Sequence, residues 1–104
     1  MALPSTGASM GAIHFVFEPG VSLADAEMSL HLAMFAVEGL VGQVRVRLSA
    51  KYVLDQDSHA IVIEGNDDVC QMVAKAFAGL MVREFGEDSF RFGRDVESHE
   101  RQAA

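Results

Sequence analysis

Val44-Arg45-Val46-Arg47-Leu48-Ser49-Ala50-Lys51-Tyr52-Val53-Leu54-Asp55 is the stretch on which the fold turns. Val44, Val46, Leu48, Ala50, Tyr52 and Leu54 are apolar at every second position. Arg45, Arg47, Ser49, Lys51 and Val53 lie between them. Alternation over that length predicts one long β-strand with a buried face and a face open to solvent or a partner. Three of the chain's eight Lys and Arg residues then point outward, in a protein of formal net charge -7.

Upstream of that stretch, Ser22 and Asp25 resemble a capping box with the shorter acid, and Gly42 suits a helix stop. The helix between them carries Leu23, Ala26, Leu30, Met34, Val37 and Val41 at core spacing. Met28, Leu32 and Phe35 form a second apolar set on the other side of the cylinder. Before Glu18-Pro19-Gly20, the alternation of Ile13, Phe15 and Phe17 predicts the first strand. Downstream, Asp55-Gln56-Asp57-Ser58 reads as a hairpin turn and Ala60–Glu64 as the third strand. Asn66 or Asp67 caps a second helix with core residues Val69, Val73, Ala76, Phe77 and Leu80. Ala74, Met81 and Phe85 of this helix fall outside that stripe. Gly86 ends the helix, and Phe90 and Phe92 mark the fourth strand.

The resulting order is β-α-β-β-α-β, the split βαβ or ferredoxin-like arrangement. It predicts an α+β sandwich: a four-stranded antiparallel sheet with two helices on one face. Right-handed crossovers favour the strand order four, one, three, two. Residues 12–96 are expected to form a single domain, with a loose arm at 1–11 and a frayed tail at 97–104. A shared topology hosts many functions, so it assigns none.

The chain has 104 residues, half of them apolar, enough for one core without metal or disulfide support. Mean hydropathy is +0.19, high for so acidic a protein, and surplus apolar side chains in a small domain often end in a subunit interface. The acidic balance argues against nucleic acid, which needs clustered cations. No apolar run approaches the ~20 residues that span a bilayer, and the first 12 residues lack signal-peptide character, so no membrane and a cytoplasmic location are expected. The lone Cys70 is expected to be a buried thiol, with Asp67 and Asp68 disfavouring its ionised form.

Four groups of residues invite a functional reading. On the open sheet face, His14, Arg45, Arg47 and Arg91 would hold a carboxylate or phosphate, His14 serving as acid or base. The same residues also suit a solvated face, because charges on exposed strands deter aggregation. Asp55-x-Asp57-x-His59 has metal-ligand residue types, but Asp and Ser are equally what a hairpin turn requires. Glu27, His31 and Glu38 share a side of the first helix; a polar strip beside the core accounts for them. Met28, Leu32 and Phe35 point to a helix-mediated contact with a second copy or another protein. The expected function is therefore a non-enzymatic, homodimeric interaction module with no metal and no cofactor. The alternative is an anion-binding domain or small enzyme using the open sheet.

Overall fold

The computed structural model describes residues 12–65 and 67–94; the expected arm at 1–11 and tail at 97–104 lie outside them. In chain order the elements are β1 (Ile13–Phe17), α1 (Leu23–Val41), α2 (Gln43–Ser49), β2 (Lys51–Asp55), β3 (Ala60–Glu64), α3 (Asp68–Phe85), a 3-10 turn (Glu87–Ser89) and β4 (Phe90–Arg94). The protein is α+β, with one four-stranded antiparallel sheet in the order β2-β3-β1-β4 and three helices. The two interior strands, β1 and β3, pair with each other through Phe15–Ile61 and Ile13–Ile63.

Helix boundaries follow the capping chemistry. The Ser22 side chain accepts from the Asp25 N–H at 3.3 Å, and the Asp67 carboxylate accepts from the Cys70 N–H at 2.9 Å. Each satisfies one of the donors that a helix start leaves without a partner. Gly42 and Gly86 end α1 and α3, each at φ 98°. The core lies between sheet and helices. Ala26, Leu30, Ala33 and Val37 of α1 and Val69, Val73, Phe77 and Met81 of α3 are all buried there. Phe15 meets Phe77 edge-on at 4.8 Å between centroids and lies 5.8 Å from Phe90, so rings from β1, α3 and β4 share one cluster. Met81, expected outside the stripe of its helix, belongs to this core and is fully buried.

Residues 44–49 depart from the expected long strand. They form the helix α2 rather than the first half of a strand, and β2 begins only at Lys51. Leu48, expected to face the core, is 72% exposed; Val46 alone among the apolar residues of α2 is buried. Arg45 and Arg47 accordingly stand on a helix, not on the open sheet face. The cause is the length of the neighbouring strand. Lys51–Asp55 pairs fully with Ala60–Glu64, after which Gly65, at φ 122°, turns the chain away. A strand reaching back to Val44 would leave its backbone donors and acceptors without a ladder. A helical turn satisfies them locally instead. Alternation over Val44, Val46 and Leu48 is also too short to distinguish the two periods, because one inward residue per turn serves a helix equally well.

Candidate functional site

α1 is apolar on two sides, with Glu27, His31 and Glu38 as a polar strip between them. Its inward side supplies core, yet Met28, Leu32 and Phe35 are 63%, 56% and 65% exposed on the opposite side. Positions 28, 32 and 35 advance by four and three residues and so stand in one row. The other exposed positions are Ala24, Ala36, Gly39 and Leu40, with Asp25 and His31. Among these exposed positions Asp25 is the one acid, and none is a Lys or Arg. A surface helix ordinarily turns Lys, Glu or Arg to water. Gly39 adds to the contrast. It sits inside the helix without a positive φ, and a Cβ there would meet nothing within 4 Å. Alanine would favour the helix by about 1 kcal/mol. What the glycine leaves is a low point on the outer face.

Beyond Gly42, α2 exposes apolar side chains of its own. Val44 and Leu48, four residues apart, are both exposed, with Arg45 and Arg47 beside them. On its other side α2 is tied to the start of α3. The Asp67 carboxyl is held below the usual range chiefly by the Cys70 N–H, with the Ser49 hydroxyl and the Arg45 guanidinium assisting. Cys70 donates its thiol proton to the Ser49 carbonyl at 2.9 Å. Burial pushes that thiol up to about 11, and the Asp67 charge adds to the effect. Because the thiolate is the reactive form, Cys70 is expected to resist a disulfide reagent at neutral pH in the native protein and to react fully on unfolding. Thiol titration with and without denaturant checks this, and rapid native labelling would contradict the burial.

The open sheet face carries His14 and Val16 of β1, Val53 and Lys51 of β2, Val62 and Glu64 of β3, and Arg91 of β4. Register places His14 beside Val62 and Val16 beside Arg91. His14 and Arg91 thus share this face, while Arg45 and Arg47 do not join them. The four-residue anion site expected from sequence is not assembled on the sheet. In the hairpin, Asp55 accepts from the Ser58 N–H at 3.2 Å and from its hydroxyl at 3.0 Å. His59 donates from Nε2 to the Val21 carbonyl at 2.6 Å, so Asp55 is engaged within the turn and His59 with the loop before α1.

One polar cluster joins α1 to the edge strand β2. The Tyr52 hydroxyl donates to Glu27 Oε2 at 2.6 Å, and His31 Nε2 lies 2.7 Å from the same hydroxyl. Tyrosine has a single hydroxyl proton, and it is given to Glu27. His31 must therefore donate its Nε2–H to the Tyr52 oxygen. Sequence reading grouped Glu27 with His31 but placed Tyr52 only in the core alternation. A contact across 25 residues leaves no local signal. Partial burial, then the Glu27 hydrogen bond and charge, push the Tyr52 phenol up to about 12. An unfolded tyrosine ionises near 10, so the cluster stabilises the fold fully below pH ~10 and loses that contribution as pH rises toward ~12. Tyr52 is the chain's one tyrosine, so tyrosinate absorbance reports it alone. The expected midpoint is about 12 in the native protein and lower in Glu27→Gln; a native midpoint near ~10 would contradict both the burial of the phenol and its hydrogen bond.

No family model, curated protein or solved structure matches this chain. Its chemistry must be read from its own surfaces. A groove of about 450 Å³ lies between α3 and β4, with Phe15, Ala74, Ala78 and Phe92 in its walls and Lys75 as its cation. Its described lining contains no acid–base pair. Among the described residues no three His, Cys, Asp or Glu side chains gather as a metal would require, and no helix is long and apolar enough to cross a membrane. The outer face of α1 is the surface most at odds with exposure to water.

Proposed function

We propose that this chain is a non-enzymatic interaction module that works as a homodimer, built on a ferredoxin-like α+β frame, with the outer face of α1 as its contact. The observation that carries the reading is the exposure of Met28, Leu32 and Phe35 on a helix face with almost no charge. A contiguous apolar patch on a small domain marks a binding surface, whereas scattered apolar residues do not. Covering the exposed parts of these side chains contributes about 1–2 kcal/mol each. Methionine and phenylalanine are also enriched in the cores of protein contacts. A second copy is the simplest occupant, since two-fold dimers are the commonest closed assembly. The strand order β2-β3-β1-β4 supports the ferredoxin-like frame, and α2 is an addition to it. The anion-binding alternative has lost two of its four residues to α2.

Isotope-edited NMR on a mixture of labelled and unlabelled protein tests the contact directly. The expected result is intermolecular contacts from Met28, Leu32 and Phe35. Intermolecular contacts confined to Val16 and Val53 of the open sheet would overturn the choice of face.

A further inference from the structure

We infer that the groove between α3 and β4 binds a small amphipathic carboxylate, its apolar part against Phe92 and its charge against Lys75.

Phe92 stands on the helix side of the sheet yet is not covered there. It pairs with Phe15 in the ladder, and the two rings stack at 5.5 Å between centroids. Phe90, on the same side of β4, is 9% exposed, whereas Phe92 is 64% exposed. The cause lies on the facing helix. β4 is an edge strand, and α3 borders the groove beside it with Ala74 and Ala78. These two positions are one turn apart and stand in one row. Their methyl groups leave a cleft of about 450 Å³ where longer side chains would close on the ring. Clefts of roughly 300–1,000 Å³, apolar with a few convergent polar groups, are the usual form of a small-molecule site.

The polar groups of the groove gather at one end. Gln71 and Lys75 line it from α3, again one turn apart. Helical side chains lean toward the helix N-terminus, which carries the Lys75 ammonium toward Gln71 and away from Ala78. Phe15 meets Phe77, the neighbour of Ala78, at 4.8 Å, so the aromatic rings lie at the other end. From Gln71 to Ala78 the helix rises about 10 Å, the reach of an extended octanoate. Lys75 is the one charged side chain in the described lining, and among the described residues it has no ion-pair partner. One ammonium beside one amide matches a single carboxylate. A phosphate or dicarboxylate would leave charge unopposed in an apolar cleft. Arg91 stands on the opposite face of the sheet and α1 does not line the groove, so the site is separate from both surfaces considered above.

NMR titration of the full chain with octanoate, and with octanol as its neutral counterpart, tests the site. Octanoate is expected to saturate, to shift the signals of Ala74, Ala78 and Phe92, and to bind at least about fivefold tighter than octanol. Lys75→Gln, at an exposed position, should reduce octanoate to the affinity of octanol. Ala78→Leu should weaken both by filling the cleft. Octanol binding as tightly as octanoate would overturn the carboxylate class. No saturation with either, or shifts confined to Met28, Leu32 and Phe35, would overturn the site. Contacts between Phe92 and Val96 that persist in excess octanoate would overturn it too, giving the groove to the chain's own C-terminal segment.

Discussion

Gly65→Ala should destabilise the protein by about 3 kcal/mol or more, the sum of left-handed backbone strain and overpacking. Gly65 has a φ of 122°, and a Cβ there would stand 2.5 Å from Cys70 Sγ and 3.0 Å from the Ser49 carbonyl oxygen. Neither neighbour is free to give way. The thiol is fully buried and bonded to that same carbonyl, and the carbonyl belongs to the last residue of α2. Three chain segments meet at this point: the end of α2, the end of β3 and the first turn of α3. The substitution should therefore loosen the attachment of α2 along with the global fold. Chemical denaturation of the wild type and the variant gives the difference. Adding Cys70→Ala to Gly65→Ala should recover part of the loss by removing the closer clash, leaving the backbone strain in place. A Gly65→Ala protein as stable as the wild type would contradict the junction described here.

Leu32→Glu should separate the dimer without unfolding the subunit. Leu32 is 56% exposed within one chain, so its replacement removes little core. Glutamate is also as good a helix former as leucine, and exposed substitutions of this kind usually change stability by less than ~0.5 kcal/mol. In the proposed dimer the same position lies in the contact, between Met28 and Phe35. Two carboxylates would be brought together in an apolar surface with no described cation on α1 to pair with them. Unpaired buried charges of this kind typically cost several kcal/mol, so affinity should fall by at least ~100-fold. Light scattering should then report a mass of 11.2 kDa at concentrations where the wild type is dimeric. The far-ultraviolet dichroism should be unchanged. A variant that keeps the wild-type mass would place the contact elsewhere.

How far the sequence alone reaches is clearest at particular elements. The ends of α1 and α3 were readable because caps are local: Ser22, Gly42, Asp67 and Gly86 each act on a neighbour a few residues away. The outward set Met28, Leu32 and Phe35 was readable for the same reason, since helical spacing alone assigns side chains to faces. α2 was not. Whether residues 44–49 pair as strand or coil as helix depends on how far β3 runs beside them, and that is set by Gly65, sixteen residues beyond Ser49. The misplacement of Arg45, Arg47 and Leu48 followed from this one tertiary decision. Met81 was missed for a different reason: the side of α3 that is covered depends on α1, which packs along it. The Tyr52 cluster likewise needs two elements brought together before either residue has a partner.

The absolute mass in solution shows most directly whether a second copy covers the outer face of α1. Size-exclusion chromatography with light scattering, run over a dilution series, should give twice 11.2 kDa, falling toward 11.2 kDa only at the lowest concentrations. A constant 11.2 kDa at every concentration would contradict the dimer.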